Sequence, residues 1–415
     1  MKVLYLVPQP SRAGQLAAYT FLDEEIYGMA AAGIEPFVLS TGADHDFEAG
    51  SVRVRAVPGS TSPSDHARNL GFVVKCRSTI PFANVTQLRE FYRPIKVERF
   101  AADVIEAEGI DLIHSHFGWP AGFGGILART ATRRPLVASL RGTDILIDHG
   151  ISYGRRNDPR YDRTIRILLS GADRTIYFSE FMRQRGVSYG APPDRTRVIE
   201  KGVDLSRFVP ADDRRGLRRD LGLPDRPMIL TVAGLVVRKG IHHALDALAL
   251  LRDTHDFLFV VCGEGPERER LEEQSGTLGL RERTLFMGKV DRATIPAYFA
   301  ACDVFVLTSI VEAAGNVLFE AMASARPVVC TASGGPAEYV QDGRTGFVVE
   351  VGDARALAER IGALLDDPSL QERLGQEGRR RTLGRFDYRR MTRDILQVYD
   401  EVLSAGDGRR RAARP

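Results

Sequence analysis

VFVLTSIVEAAGNVLFEAMASARPVVC, residues 304–330, reads as a strand, a loop and a helix, followed by the opening of another strand. Val304 to Ser309 is an unbroken apolar, β-rich run of the kind buried in a parallel sheet, and Pro327-Val-Val starts the next one. Between them Gly315 turns the chain into a helix. The first N–H groups of a helix have no partner within it, so those around Ala314 to Asn316 form a cradle suited to a diphosphate. Glu320, one to two turns into the helix, is placed to reach a ribose hydroxyl pair. Glu312, ahead of the helix, is placed beside a sugar.

Working outward, the same alternation of apolar strand and helical segment fills the chain. One series of expected strands runs through Val3 to Val7, Pro36 to Leu39, Asp111 to Ser115, Leu136 to Ser139 and Thr175 to Phe178. A second runs through Met228 to Ala233, Leu258 to Cys262, Thr284 to Phe286, Val304 to Leu307, Val328 to Cys330 and Gly346 to Val349. Strand–helix alternation predicts parallel sheets covered on both faces, hence an α/β protein of two doubly wound, Rossmann-like domains. The polar stretch Asp204 to Asp225 carries no strand signal, and the linker is expected near Phe208 to Asp213. The expected domains are 1–207 on the acceptor side and 208–385 for the donor. A helix over 386–404 is expected to pack back on the first domain, ahead of a disordered basic tail, 405–415. Ligands in such sheets sit at the carboxyl ends of the strands, so the expected site is a cleft between the two facing domains.

Composition agrees. The 415 residues suffice for two cores, and 44% hydrophobic with 27% charged residues is a globular balance. No stretch approaches the ~20 apolar residues of a membrane-crossing helix. The N-terminal MKVLYLVPQP is too short in its apolar part for a signal peptide and reads as a first strand. Four scattered cysteines, Cys76, Cys262, Cys302 and Cys330, indicate neither zinc nor a disulfide framework, and a reducing cytoplasm is expected. Net charge is only +3. The arginine clusters Arg214 to Arg219, Arg379 to Arg381 and Arg409 to Arg414 read first as solvated helix faces or disordered ends, and second as weak attraction to anionic lipid at the inner membrane face or to a phosphorylated acceptor. No nucleic-acid partner is indicated, and nothing bears on oligomeric state.

Glu312 and Glu320, with the residues around them, resemble the E-x7-E motif of retaining GT-B glycosyltransferases of family 4, the group 1 glycosyltransferases. Four more stretches resemble that family in the same order. In LTVAGLVVRKG, residues 230–240, the family places a lysine before the glycine, so the resemblance gives Lys239 the task of neutralising a leaving diphosphate. An ammonium at a helix start suits a phosphate. The arginine usual in this loop is replaced by Gly234, and Arg238 is the available substitute. Gly263 and Gly265 resemble the family's G-x-G turn, and Gly288-Lys-Val290 the loop whose backbone meets the base. Val198 to Asp204 resembles the segment closing the first domain, with Lys201 in an asparagine's place. Gly334 to Glu338 and Asp342 to Phe347 complete the series.

In the first half the resemblance is looser. Ile113-His114-Ser-His116-Phe-Gly118 resembles the family's H-x-H, whose second histidine faces the sugar. That makes His116 a candidate catalytic group beside Glu312 and Lys239. His114 shares its face of the strand and is itself a candidate acceptor contact, so a swap of roles or a purely structural pair stays open. Arg141 stands where a histidine is common in H-G-x-D, either to bind an anionic acceptor or to pair with Asp144. Arg12, Gly14 and Gln15 resemble the glycine loop near the donor phosphates, with Arg12 and Gln15 also candidates for the acceptor. Arg68, Lys75, Arg77 and Arg93 lie in a stretch that resembles nothing in the family.

The resemblance implies transfer of a sugar, with retention, from a nucleoside-diphosphate sugar such as a UDP- or GDP-sugar. The acceptor would be a hydroxyl of a glycan or its lipid-linked precursor, of a membrane lipid, or of a small metabolite such as a cyclitol or aminocyclitol. No cofactor or metal is expected, because cationic side chains and N–H groups supply the charge and no D-x-D motif is evident. Two rival classes are a sugar-nucleotide epimerase of the same architecture and a binding module that has lost its chemistry.

Overall fold

The computed structural model describes residues 1–7, 20–40, 45–57 and 99–412. Arg12, Gly14 and Gln15 therefore lie outside the described residues, as do Cys76, Arg68, Lys75, Arg77 and Arg93. Internal contacts divide the chain into two units. The first comprises Met1–Phe178, Met182–Ile199 and Thr392–Pro415; the second comprises Ser179–Phe181 and Glu200–Met391. Residues 200–207, placed in the first domain by the sequence, make their contacts in the second: Val203 donates its N–H to Phe386 O, and the Glu200 carboxylate pairs with Arg385.

The first unit holds eight strands among the described residues: β1 (Lys2–Leu6), β2 (Glu35–Ser40), β3 (Phe47–Ala49), β4 (Val52–Ala56), β5 (Leu112–His116), β6 (Leu136–Ser139), β7 (Arg174–Tyr177) and β8 (Thr196–Val198). They lie in the order β3-β4-β2-β1-β5-β6-β7-β8, all parallel except the β3–β4 hairpin. The second unit holds β9 (Met228–Val232), β10 (Leu258–Cys262), β11 (Thr284–Gly288), β12 (Val304–Leu307), β13 (Val328–Thr331) and β14 (Gly346–Val349), in the order β11-β10-β9-β12-β13-β14. Both are doubly wound sheets. In each, the strand order reverses between the first strand and a later neighbour: β1 beside β5, and β9 beside β12. At such a switch point the two loops leave in opposite directions and open a crevice at the carboxyl ends.

Sequence dictates these strands through burial. LFVVC of β10, VFVL of β12 and VVCT of β13 are buried at every position, as expected for strands covered on both faces. The helix Ile241–Leu251 buries Ile241, Ala244, Leu245, Ala247, Leu248 and Leu251 at helical spacing, on the same core as Phe257, Phe259 and Ile361. Among the described residues, the helices that follow Asp158, Asp213, Asp353 and Asp367 begin with that aspartate's side chain accepting an N–H of the first turn. The helices beginning at Ile241 and Asn316 have no side-chain cap and start from Gly240 and Gly315, at φ +61° and +74°.

Gly240 is required twice over. Its φ is left-handed, and a Cβ there would overlap the carbonyl oxygen of Thr308 at the end of β12. The loop after β9 thus rests on the loop after β12, with Ile310 N–H donating to Arg238 O at 2.8 Å. Gly240→Ala is expected to destabilise the fold by about 1–3 kcal/mol, the cost of forcing a side chain into such a conformation. An unchanged thermal unfolding curve would contradict this packing of the two loops.

The arginine clusters at 214–219 and 379–381 are solvated only in part, with Arg215, Arg219 and Arg380 exposed. In the helix Arg214–Asp220, Arg215 and Arg219 are exposed, but Arg214 and the buried Arg218 both reach Asp303, at 2.9 and 2.7 Å. Asp303 also accepts the Met228 N–H, so the pair ties the starts of β9 and β12 together. Arg379 donates to the carbonyl of Ala323, the last residue of the Asn316–Ala323 helix, and Arg381 to Tyr339 O. The final helix spans Tyr388–Ala412 and so continues through much of the tail expected to be disordered. Arginine and alanine are strong helix formers, which favours the extension. Among the described residues no helix is long and apolar enough to cross a membrane.

Candidate functional site

In the second unit the switch point brings Lys239 and Glu312 together across 73 residues of sequence. Lys239 follows β9, Glu312 follows β12, and these strands pair through Val304↔Ile229 and Phe305↔Leu230. The Lys239 ammonium is ion-paired with Glu312 Oε2, and Arg238 Nη1 stands 3.4 Å from the same oxygen. Ser309 Oγ lies 3.4 Å from that oxygen, and Ala313 N–H donates to Glu312 Oε1 at 3.2 Å. The glutamate side chain is 11% exposed. Burial pushes its carboxyl up, but Lys239 and Arg238 outweigh burial and hold it below the ordinary 4.5. It is therefore an ionised acceptor at neutral pH.

Neighbouring loops brace this carboxylate. Glu312 N–H donates to Ser333 O and Gly335 N–H to Glu312 O, pinning the loop to the one after β13. Ser179 Oγ donates to Ala313 O at 3.0 Å. From there Ala314, Gly315 and Asn316 lead into the helix with no side-chain cap, so its N-terminal dipole and N–H groups are available for an anion. Gly263 lies beyond β10, its N–H bonded to Gly288 O, and Val290 follows β11, so both stand on the carboxyl edge of the same sheet. Gly234, where the family places an arginine, would meet only Glu264 O, at 3.8 Å, if given a Cβ; the position is open and its cation is missing.

Glu320 lies one turn into the helix and is half-buried. Burial raises its carboxyl from 4.5 to about 7, against the opposing pull of Arg292 and Arg207. A raised pKa means the folded chain holds this proton more tightly than the unfolded chain. The group's contribution to stability is full below pH 4.5, falls as pH rises towards 7 and is lost above it. Glu320→Gln removes that dependence. Its melting temperature is expected to gain on wild type across this window; a constant difference would contradict the assignment.

In the first unit, His114 and His116 share one face of β5, their ring centroids 4.2 Å apart. The structure separates their roles. His114 is fully buried, with Nδ1 bonded to Tyr399 of the final helix at 2.6 Å and Nε2 to Ser139 at 2.8 Å. Burial pushes its pKa down to about 3, so it is a neutral group, and both of its ring nitrogens are engaged within the protein. His116, also buried, stacks on Tyr5 at 6.0 Å and bonds through Nδ1 to Arg141 Nη2 at 2.5 Å.

Of the two partners considered for Arg141, Asp144 receives only its backbone N–H, at 3.2 Å. The guanidinium instead pairs with Glu25 Oε2 at 2.8 Å and lies over the Phe178 ring at 4.4 Å. Glu25, from the helix Thr20–Ala31, is a site residue that the sequence reading missed, since nothing local signals a partner 116 residues away.

Comparisons with known proteins bear on both units. The sequence pattern of the glycosyl transferases group 1 matches residues 213–381, and that of Glycosyltransferase Family 4 matches residues 20–207. The GDP-mannose-dependent alpha-(1-6)-phosphatidylinositol monomannoside mannosyltransferase of Mycolicibacterium smegmatis is 34% identical over 279 residues, covering 65% of this chain and 71% of that protein. The D-inositol 3-phosphate glycosyltransferase of Salinispora arenicola is 29% identical over 433 residues, covering 96% and 93%. The sucrose-phosphate synthase of Thermosynechococcus elongatus superposes with a TM-score of 0.79 at 24% identity, covering 98% of this chain and 100% of that one, a likeness of fold.

Proposed function

The chain belongs to the group 1 glycosyltransferases of family 4, with the GT-B fold, and on that premise we propose a metal-independent, retaining transfer from a nucleoside-diphosphate sugar. The observation that carries this reading is the Glu312 carboxylate held ionised by Lys239 and Arg238, at the mouth of an uncapped helix. Lys239 has three N–H donors, so one can serve Glu312 while the others meet phosphate oxygens. As the glycosidic bond to the diphosphate breaks, negative charge grows on the leaving oxygens. Lys239, Arg238 and the N–H groups of Ala314 to Asn316 are placed to stabilise it, the task a divalent cation performs elsewhere.

The acceptor hydroxyl attacks from the face the diphosphate leaves, a diphosphate oxygen takes its proton, and Glu312 orients the sugar by accepting from its hydroxyls. Glu320 binds the ribose, Gly263 and Val290 border the nucleoside, and His116 donates to the sugar. Gly14, Arg12 and Gln15 complete the donor and acceptor contacts in this reading. The acceptor is a hydroxyl of a glycan, a lipid-linked precursor or a small metabolite. Two relatives act, by their names, on inositol-bearing acceptors, which places such compounds first in a panel.

The test is an incubation of each nucleotide sugar with that panel, with and without a chelator, followed by proton NMR of the product. The reading expects acceptor-dependent release of nucleoside diphosphate, indifference to the chelator, and an anomeric coupling in the product matching the donor's. An inverted product, or a donor epimerised without acceptor, overturns it.

A further inference from the structure

Two carbonyls of the loop that carries Glu312 are held from behind. Glu312 O accepts the N–H of Gly335 at 3.1 Å, and Ala313 O accepts the hydroxyl of Ser179 at 3.0 Å. Ser179 is fully buried and Ala313 nearly so. A Cβ at Gly335 would overlap Ala313 O, so backbone closes that side of the carbonyl. By its contacts the segment Ser179–Phe181 belongs with the second unit. Glu338 fixes this segment, its carboxylate accepting the N–H of Glu180 at 2.8 Å and that of Phe181 at 2.5 Å, and the Phe181 ring lies against Gly334.

A trans peptide is planar, with its C=O and N–H pointing in opposite directions. Fixing the two carbonyls therefore fixes the two N–H groups that follow them. The N–H of Ala313 turns to Glu312 Oε1 at 3.2 Å. Among the described residues the N–H of Ala314 has no acceptor, and it leads into Gly315, at φ +74°, and the uncapped helix. A buried N–H without an acceptor is costly in a folded chain, and an anion at a helix start supplies one. Were this peptide turned over, its carbonyl would stand in the same place and repel the anion.

We infer that Ser179 is a positioning residue for donor binding: its hydroxyl holds the Ala313–Ala314 peptide with the N–H turned to the diphosphate. This rests on the diphosphate site proposed above. Removing the hydroxyl strands a buried carbonyl, which regains a partner only by turning its peptide. The serine acts through that peptide, so its loss should spare the ion pair of Lys239 with Glu312.

Alanine labelled with carbonyl carbon-13 and nitrogen-15 tests it in the full chain, because a carbonyl then correlates with the next amide only where two alanines are adjacent. The Ala313–Ala314 signal is identified by its loss in Ala314→Gly, and the pairs Ala101–Ala102 and Ala300–Ala301 report whether each unit stays folded. Uridine, guanosine, adenosine and thymidine diphosphates are the probes. In Ser179→Ala the Ala313 carbonyl should move upfield, as a carbonyl does on losing a hydrogen bond, while the other pairs stay in place. The nucleoside diphosphate that binds wild type should bind this variant about 10-fold more weakly, the share of one hydrogen bond to a charged group. Ser179→Thr, which keeps a hydroxyl, should hold the carbonyl shift and recover the affinity. Ser179→Cys, of similar size and a poorer donor, gives the same reading should the alanine variant disturb the other pairs. An unmoved carbonyl in Ser179→Ala, or an affinity equal to that of wild type, overturns the inference and leaves the proposed function standing. A carbonyl that moves in a protein whose wild type binds no nucleoside diphosphate sinks the proposed function, and the inference with it.

Discussion

Glu312→Ala is expected to lower kcat by about 10²–10³-fold, the range seen when a group oriented for the transition state is removed. The loss should fall on turnover and not on nucleotide binding. In wild type the Lys239 ammonium and the Arg238 guanidinium share Glu312 Oε2. Without that carboxylate both cations face an incoming diphosphate with less competition. A nucleoside diphosphate should therefore bind the variant at least as tightly as wild type while the sugar is left unoriented. Steady-state kinetics with a binding titration separate the two effects. Turnover near wild type would remove Glu312 from the chemistry, and turnover and nucleotide affinity falling together would make its role structural.

Lys239→Met is expected to produce the second large loss, about 10²–10³-fold in kcat/KM, because it deletes the charge placed to meet the leaving diphosphate. It carries a distinguishing signature in pH. Burial pushes the Glu312 carboxyl up, and Lys239 is the largest of the influences that hold it down. Deleting the lysine releases the carboxyl upward, so that protonated Glu312 accumulates at a higher pH than in wild type. A group whose folded pKa is depressed keeps its charged form as pH falls, and the variant surrenders that advantage. Its residual activity should fall sooner than that of wild type as the medium is acidified. Parallel pH profiles for the two proteins would mean that Lys239 does not hold the charge of Glu312.

The parts of the site that were legible in the sequence are those written in local order. Val304 to Leu307, Gly315 and the helix from Asn316 follow one another, so strand, turn and helix could be read from periodicity and one glycine. The approach of Lys239 to Glu312 follows from topology, because two parallel strands diverging at a switch point bring their loops to one crevice. Pairs that depend on side chains from distant elements left no such trace. Arg141 with Glu25, His114 with Tyr399, and Arg218 with Asp303 join residues 116, 285 and 85 positions apart. Each involves a residue whose own neighbourhood reads as ordinary helix or strand surface. The β3–β4 hairpin escaped for a different reason: in VRVRA alternate positions are arginines, so β4 lacks the unbroken apolar run that marks the buried parallel strands.

Several arginines of the second unit are likewise engaged within the protein. Arg218, Arg326 and Arg379 donate to backbone carbonyls or carboxylates at the ends of strands and helices, in the role of internal staples. Arginine suits it, because its fork meets two acceptors at once and its charge is not lost on burial.

The account stands most directly on nucleoside-diphosphate binding at Lys239. Thermal unfolding of wild type and Lys239→Met would be followed with uridine, guanosine, adenosine and thymidine diphosphates, each with and without a chelator. A ligand at 100 times its dissociation constant adds about 2.7 kcal/mol of stability. The predicted result is a shift of wild type by one of these nucleotides that a chelator leaves unchanged and that Lys239→Met loses. No shift with any nucleotide, a shift abolished by the chelator, or a shift that survives Lys239→Met would contradict the assignment of this loop as a metal-independent diphosphate site.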